Sequence, residues 1–339
     1  MKTSNHLLRR LTAALLAAVL ALSIALPVFA SDDGDTIYIN SVSDLLSLAK
    51  SCAYDQWSVG KTVILQKDLS LEGMLWEPIP SFSGQFKGNG HTISDLTITG
   101  QYSPAGLFGI VEEQGSIESL SVRGIVSVSD SADTTTGGIV GINHGTLINC
   151  QFTGVVTGDS EVGGIVGRNE SEGTIDHSTA RAIVTGKSST GGIAGYNLGA
   201  ITGCTNVGSI NTEYQEASLD TDGFTAKMVD YINNKMAAAD DDTTNSVTNV
   251  ATDTGGIAGR SSGMILTSVN TGTVGYEHIG YNVGGIVGRT DGLVSGCVNQ
   301  GHVLGRKDVG GIAGQAEPYR ELDLSKDTIK PVSYTHLRA

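Results

Sequence analysis

Basic and aromatic residues are scarce in this 339-residue chain. It holds 21 Lys and Arg against 35 Asp and Glu, a formal net charge of −14, and only 5% of its residues are aromatic. Nucleic acids and anionic membranes are bound through clustered basic side chains, so this composition excludes them as predicted partners. Proline is also rare, with 6 residues, whereas glycine reaches 46. Because Val and Ile are plentiful, disorder is excluded as well, and tight turns between short strands account for the glycine.

Catalytic and metal-binding motifs are scarce too. The sequence holds no His-Glu-x-x-His zinc site, no Cys-x-x-Cys and no His-x-His. Glycoside hydrolysis needs two carboxylates that flank one bond, whereas the acids here are scattered over turns and do not recur on one strand face. These acids are Glu112, Glu113, Asp159, Glu161, Glu170, Glu172 and Asp176. We therefore predict that the chain is not an enzyme and has no catalytic, cofactor or metal residue; its binding residues are left unassigned.

Residues 1–30 have the features of a secretory signal peptide. The basic residues Lys2, Arg9 and Arg10 precede an apolar run from Leu11 to Leu26, and a small-residue cleavage site ends at Ala30. The alternative is an uncleaved membrane anchor, for which the apolar core is short. After Ala30 no run is apolar for long enough to cross a bilayer. We expect cleavage near Ala30 and a secreted or cell-surface location, with no transmembrane span in the mature chain.

The dominant feature of the sequence is a repeat of Gly-Gly-Ile-Val/Ala-Gly. Its copies begin at Gly137, Gly163, Gly191, Gly255, Gly284 and Gly310, with spacings of 26, 28, 64, 29 and 26 residues. A second glycine and then, two positions on, an aliphatic residue follow the first five copies. The glycines are Gly145, Gly173, Gly199, Gly263 and Gly292, and the aliphatic residues are Leu147, Ile175, Ile201, Ile265 and Val294. Self-similarity at a period of a few tens of residues is typical of a stacked solenoid.

Within each repeat, apolar or small residues alternate with polar ones until a glycine intervenes. This alternation indicates short strands joined by tight turns. A repeat of 26 residues accommodates three strands and three turns, and stacked coils pair their strands into parallel sheets. The same register extends backward through Gly115–Gly124 and His91–Gly100. The predicted fold is all-β, a right-handed parallel β-helix.

One inward position is predicted five residues after the second glycine. It forms a ladder of stacked side chains: Leu96, Leu120, Cys150, Ser178, Cys204, Ser268 and Cys297. Cysteines never occupy adjacent rungs, so the ladder cysteines are about 10 Å or more apart, beyond disulfide reach. Cys52, the fourth cysteine, precedes the repeats. We interpret all four as small buried hydrophobic side chains rather than as a disulfide framework or a metal site.

The same register predicts two polar rows. Two residues beyond the ladder lie Asn206, Asn270 and Asn299, whose amides can hydrogen-bond along the axis as a structural stack. A row of ligand-binding amides is the functional alternative. A basic residue follows the anchor motif in three repeats, at Arg168, Arg260 and Arg289. Solvated charges are the favoured interpretation of this row, with a weak basic binding stripe as the alternative.

The start of the chain and one interruption are predicted to be helical. Ser41–Lys50 combines a polar cap with leucines at helical spacing and predicts a helix that covers the first coil. The longest spacing contains roughly 36 extra residues, about 214–251, with an apolar face of Phe224, Met228, Tyr231, Ile232 and Met236. This partly helical insertion is interpreted as packing on the stack, with partner binding as the alternative. The run Asp240–Asp242 lacks the spacing of a calcium loop.

The end of the chain has the appearance of a cloning product. Val332–Ala339 resembles the in-frame translation of an adaptor used in sequencing libraries, and the alternative is a natural tail. We expect the natural protein to continue past about Pro331. The predicted organisation is a signal peptide at 1–30, a cap region at 31–56, the β-helix at 57–316 with its insertion at 214–251, the start of a following segment at 317–331, and the adaptor-derived tail at 332–339.

The repeat blocks resemble those of bacterial surface proteins that carry the GLUG motif. The matching residues are Gly137–Asn143 and Gly163–Asn169 with the Cys-x-x-x-Gly that follows, and Phe82–Ile93 resembles the segment that opens such helices. The resemblance covers about residues 37 to 316. It implies a pectin-lyase-like β-helix fold and a setting among adhesins, other surface proteins or immunoglobulin-A-cleaving metallopeptidases.

These observations predict an exported binding, adhesion or spacer module with no catalytic centre. The predicted partner is a host or cell-surface protein or a polysaccharide, and the oligomeric state is not predicted. One alternative is the stalk of a larger surface enzyme, for example a metallopeptidase, whose catalytic domain follows about Pro331. The other is a β-helix that binds or cleaves a polysaccharide directly.

Overall fold

The computed structural model describes residues 36–54, 56–128, 134–212 and 251–317. The chain divides into two compact units, residues 1–37 and 38–339. Of the first unit, only Thr36 and Ile37 are described, and they begin a strand. The signal peptide, the insertion apart from Ala251, the segment after Glu317 and the adaptor-like tail are predictions that lie outside the described residues. The account below concerns the second unit.

Four sheets of parallel strands make up the fold. Sheet A contains Thr36–Ile39, Thr62–Leu65, Gln85–Lys87, Ser116–Glu118, Thr146–Ile148, Thr174–Asp176, Ala200–Thr202, Met264–Leu266 and Leu293–Ser295. Sheet B contains Leu69–Ser70, Thr92–Gly100, Ser121–Val128, Gln151–Thr157, Thr179–Thr185, Thr205–Asn206, Val269–Asn270 and Val298–Asn299. Sheet C contains Ile79–Phe82, Phe108–Val111, Val140–Asn143, Val166–Asn169, Ala194–Asn197, Ala258–Ser261, Val287–Thr290 and Ala313–Ala316. Sheet D contains Thr136–Gly137, Ser160–Gly163, Ser188–Gly191, Thr252–Gly255, Tyr281–Gly284 and Lys307–Gly310.

Each coil passes through the sheets in the order D, C, A, B. The coil that begins at Ser160 does so with Ser160–Gly163, Val166–Asn169, Thr174–Asp176 and Thr179–Thr185, and about eight such turns stack in register. The predicted all-β parallel solenoid is confirmed, while its handedness stays a prediction. The expectation of three strands per coil is wrong from Thr136 onward. The Gly-Gly-Ile corner separates two strands, one in sheet D and one in sheet C, where the sequence pattern predicted one.

Close backbone approach explains the glycines of the anchor motif. A Cβ at Gly163 would lie 1.9 Å from the carbonyl oxygen of Val166, and one at Gly164 would lie 2.2 Å from that of Gly192 in the next coil. At the fifth motif position, a Cβ on Gly167 would lie 2.6 Å from the backbone nitrogen of Thr136. Real Cβ atoms do not occupy such positions, so all three glycines are required by the corner itself.

The core lies between the sheets and is aliphatic along most of its length. In sheet A the inward residue of each strand pairs with its counterpart one coil away, as in Ile117, Leu147, Ile175, Ile201 and Ile265, all fully buried. The few aromatic residues are concentrated in the first coils. The rings of Phe82 and Phe86 each lie near that of Phe108, with centroid distances of 5.4 Å.

The cysteine-containing ladder is confirmed for five of its seven predicted members. Leu120, Cys150, Ser178, Cys204 and Ser268 are buried, whereas Cys297 is half-buried. Cysteine and serine alternate here because both donate to the carbonyl two residues earlier: Cys150 Sγ to Ile148 at 3.5 Å, and Ser178 Oγ to Asp176 at 3.1 Å. All four thiols of the chain are free. The absence of a disulfide framework was therefore predicted correctly.

Leu96 is the ladder member that the structure contradicts. Ile93 pairs with Val122 and Leu96 with Gly124 in sheet B, with a bulge between them, so Leu96 does not lie beside Leu120. Gly88 lies there instead, because a Cβ on it would be 2.6 Å from the Leu120 Cα atom. His91–Gly100 has the same apolar spacing as Gly115–Gly124, so the pattern did not reveal that the neighbour of Ile117 is Phe86.

The predicted N-terminal helix is confirmed as α1, Val42–Ser51. Ser41 Oγ accepts a hydrogen bond from the Asp44 backbone N–H, and the Asp44 carboxylate accepts one from Asn40 at 2.9 Å. The Asn40 bond lowers the pKa of Asp44. The helix buries Leu45 and Leu48 and contacts Ile79–Phe82, the first strand of sheet C. It therefore covers one edge of that sheet, as a capping helix does.

The register continues across the insertion. Thr190 pairs with Thr254 in sheet D, Thr205 pairs with Val269 in sheet B, and Ile210 bridges Val184 and Val274. Asn211 joins the two sides: its Oδ1 accepts from the Gly186 N–H at 2.8 Å, and its Nδ2 donates to Thr254 Oγ1 at 3.0 Å. The extra residues therefore leave and re-enter at one corner, between sheets B and D.

Candidate functional site: the arginine–tyrosine row of sheet C

Two buried asparagine ladders hold the coils in register. The predicted stack is confirmed: Asn206 Nδ2 donates to Asn270 Oδ1, and Asn270 Nδ2 to Asn299 Oδ1, each at 2.8 Å. Each amide also closes its own corner, as where Gly272 N–H donates to Asn270 Oδ1. All of these groups face inward, so the stack is structural, and the alternative of a ligand-binding amide row is not supported.

Sequence reasoning missed a second ladder at the end of the sheet C strands. Asn143 Nδ2 donates to Asn169 Oδ1 at 2.8 Å, Asn169 to Asn197 at 2.9 Å, and Asn197 to Ser261 Oγ at 3.0 Å. All four residues are fully buried. The available signal was the asparagine that ends each Gly-Gly-Ile-Val-Gly-x-Asn block, which recurs at a fixed offset.

The outward residue of each sheet C strand forms the sheet C row. Its members pair in register from coil to coil: Ile142, Arg168, Tyr196, Arg260, Arg289 and Gln315. Neighbouring members lie about 4.8 Å apart along the sheet. The structure therefore brings together the three predicted arginines and adds Tyr196, which the sequence prediction had not assigned to the row.

Arg168 is neutralised within the row. Its Nη1 lies 2.6 Å from Glu161 Oε1 and its Nε 2.6 Å from Glu170 Oε1, and all three side chains are partly buried. Partial burial opposes the charge on Arg168, but the two carboxylates outweigh it and raise the pKa of the guanidinium. This arginine is a structural ion pair, and the interpretation as freely solvated charge is wrong at this position.

Tyr196 lies between two guanidinium groups. Its ring centroid is 5.0 Å from Arg168 Cζ and 5.1 Å from Arg260 Cζ, a cation–π distance on both sides. The Tyr196 hydroxyl lies 3.3 Å from Ser262 Oγ. Because ring and guanidinium are planar, stacking holds both arginine planes against the sheet and reduces their rotational freedom.

Arg260 and Arg289 differ from Arg168 in their acidic partners. Arg289 Nη2 contacts Glu317 Oε2 at 3.0 Å, with both side chains about 40% exposed. Arg260 has no carboxylate within ion-pairing distance among the residues that the structure describes. The row therefore contains one satisfied arginine, one exposed pair and one guanidinium whose only recorded contact is with Tyr196.

The acids outside this row do not form a catalytic pair. Asp95 accepts from the Ser70 and Ser94 hydroxyls, and these bonds lower its pKa. Asp68 accepts from Thr92 N–H and contacts His91, which lowers its pKa as well. A general acid needs a raised pKa, so neither carboxylate is suited to that role.

One catalytic-type pattern escaped the sequence reading. Gly259–Gly263 reads Gly-Arg-Ser-Ser-Gly and matches the Gly-x-Ser-x-Gly pattern of hydrolase nucleophiles. The structure places its central Ser261 at the end of a sheet C strand, fully buried, where it accepts from Asn197. A nucleophile elbow exposes its serine between a strand and a helix, so the match has another origin, the repeat itself.

Within the described ranges, no group of three or more His, Cys, Asp or Glu side chains could hold a metal ion. The same part of the chain contains no helix that is long and apolar enough to span a membrane.

Comparison with known proteins gives partial relatives. No family model matches the chain. It is 32% identical over 155 residues to halomucin of Haloquadratum walsbyi, a match that covers 42% of this chain and 2% of halomucin. It is 29% identical over 137 residues to a protein of Evansella cellulosilytica provisionally named a Gly-rich membrane protein, covering 29% of this chain and 16% of that protein.

Among solved structures, the chain is similar to one from Bacteroides ovatus that is provisionally assigned as an immunoglobulin A1 protease. The identity is 17%, the TM-score is 0.49, and the match covers 84% of each chain. We draw no functional conclusion from a likeness at this level. The matched regions of the two sequence relatives are small parts of much longer proteins, and no family membership follows for this chain.

Proposed function

We propose that this chain is an exported surface β-solenoid that acts as a binding or adhesion module and belongs among the GLUG-type repeat proteins. The observation that carries the proposal is the sheet C row: planar charged and aromatic side chains stand in one line on a scaffold whose interior is closed by two amide ladders. A row of this kind presents the same chemistry at regular intervals, which suits attachment to an extended partner. The names of the two sequence relatives support a surface setting.

Retention on surface polymers tests this proposal. The purified chain would be passed over immobilised polysaccharides and over intact bacterial cells, and the bound fraction measured against protein concentration. We expect saturable retention without release of new reducing ends. Retention on none of these surfaces, or progressive cleavage of a polysaccharide, would contradict a binding module.

The stalk of a longer surface enzyme is the second candidate. It is favoured by the coverage of the relatives, since the matched regions are 2% and 16% of their lengths. Sequencing the source locus past the codon for Lys330 tests it. A downstream catalytic domain, for example one with a His-Glu-x-x-His motif, would make this chain its stalk, and a natural stop after Ala339 would contradict this candidate.

A further inference from the structure

Each member of the sheet C row stands between two flanking positions of its own coil. One is the second residue of the sheet D strand, and the other is the residue directly after the sheet C strand. For Arg168 these positions hold Glu161 and Glu170, and both carboxylates contact the guanidinium at 2.6 Å. The Arg168 coil thus shows how a row arginine is neutralised from within the chain.

The Arg260 coil lacks both of these partners. Asp253 replaces the longer glutamate, and its Oδ1 accepts from Asn282 Nδ2 at 2.6 Å. Ser262 replaces the second glutamate and lies beside the Tyr196 hydroxyl. The two positions that supply charge to Arg168 therefore supply one engaged carboxylate and one hydroxyl to Arg260.

Stacking prepares the Arg260 guanidinium for an external ligand. The face of the group is used by the Tyr196 ring, at 5.1 Å, while the N–H donors of a guanidinium lie in its plane and stay available. Arg289 stands in register on the next rung, so two guanidinium groups follow each other about 4.8 Å apart. Only Glu317 is recorded against this pair, so the pair keeps a local excess of positive charge.

We propose that Arg260, Tyr196 and Ser262 form a binding site for the carboxylate of a uronic acid in an acidic polysaccharide. Guanidinium binds carboxylate through two parallel hydrogen bonds, and the two neighbouring hydroxyls match the ring hydroxyls that flank a uronate carboxylate. A linear polymer repeats its carboxylates along the row and so reaches Arg289 as well. The chain's net charge of −14 opposes indiscriminate anion binding, which makes these local groups decisive. This inference rests on the proposed binding function and names its ligand class.

Calorimetric titration with hexagalacturonate tests the site in the full chain. We expect Arg260→Gln to weaken binding about ten-fold or more, since a charged hydrogen-bonded contact contributes at least one decade of affinity. Arg260→Lys keeps the charge but not the paired donors and should also weaken binding. Arg181→Gln, which removes an exposed arginine on sheet B, is the matched control and should leave the affinity unchanged. The methyl-esterified hexamer, which lacks the charge, should not bind.

Three results would overturn the proposal. One is equal affinity of the wild type and Arg260→Gln, with both proteins unfolding at the same temperature. Another is equally tight binding of hexaglutamate, which would assign the site to acidic peptides. The third is binding of hexagalacturonate only after removal of residues 213–250, which would show that acids of the chain itself occupy Arg260. Retention on cells that is independent of Arg260 would end this inference and leave the proposed binding function standing.

Discussion

Single polar residues are accepted in this interior where a second group completes their hydrogen bonds. Ser178 Oγ accepts from Cys150 N–H and donates to the Asp176 carbonyl, and the asparagine ladders pair donor with acceptor from coil to coil. Thr190 is an exception, because its Oγ1 is buried without a partner. A buried unpaired hydroxyl costs about 1–3 kcal/mol, so this residue is a weak point of the core.

Replacement of Thr190 should stabilise the protein. Its row neighbour in the preceding coil is Val162, which shows that a second methyl group fits this position. We expect Thr190→Val to raise the free energy of unfolding by about 1 kcal/mol, measured by urea titration. Thr254→Val is the matched control, since it removes the contact with Asn211 and should lower stability by a similar amount. Destabilisation by Thr190→Val would mean that its hydroxyl has a partner in solution.

The thiols should differ in reactivity according to burial. Burial raises the pKa of Cys150 and of Cys204 to about 12 and that of Cys52 to about 11, so almost no reactive thiolate is present at neutral pH. We expect native protein to react with a maleimide fastest at half-buried Cys297, with the other three sites labelled after denaturation. Peptide mass spectrometry would locate the label. Equal labelling rates at Cys150 and Cys297 would show that the coils open.

Recurrence at a fixed offset made some single residues predictable. The Asn206 row and the cysteine–serine ladder were read from spacing alone, because identical coils place equal offsets at equal positions. The difference between Arg168 and Arg260 could not be read in this way. It depends on which residues the sheet D strand and the following turn bring beside each guanidinium, and on the engagement of Asp253 by Asn282 in the next coil.

At the scale of strands and corners, register is set by backbone contact as much as by hydrophobic pattern. The His91–Gly100 register was predicted incorrectly, because its apolar spacing copies that of the next coil. The steric requirement of Gly88 against Leu120 and the bulge after Ile93 decide the true register, and neither is visible in an alternation of apolar and polar letters. The fourth sheet was missed for a related reason, since one bend divides a continuous pattern into two strands.

The corner glycines allow a matched test of this point. A Cβ on Gly192 would lie 2.2 Å from the Gly256 carbonyl oxygen and 2.4 Å from the Asn206 side chain, whereas one on Gly311, at the same motif position, meets nothing within 4 Å. We expect Gly192→Ala to destabilise the fold by more than about 4 kcal/mol or prevent folding, and Gly311→Ala to be nearly neutral. Thermal unfolding followed by circular dichroism measures both. Equal melting temperatures would contradict the stacking of these corners.

On the scale of the whole molecule, the solenoid and the insertion can be separated. Thr212 and Ala251 occupy the positions that Gly186 and Lys187 hold in the preceding coil, and the paired strands on either side stay in register. Removal of residues 213–250 restores a spacing of 26 residues, equal to that between Gly137 and Gly163. The deletion therefore leaves a regular coil with the sheet C row intact, and it distinguishes binding by the coils from binding by the insertion.

The affinity of this deletion protein for hexagalacturonate tests the central claim most directly. We predict that it folds, melts cooperatively at or above the wild-type temperature, and binds the oligomer with the wild-type affinity, because the ligand contacts coils and not the inserted residues. A folded deletion protein that no longer binds would assign the binding site to the insertion. That result would contradict the account in which the stacked coils themselves carry the function.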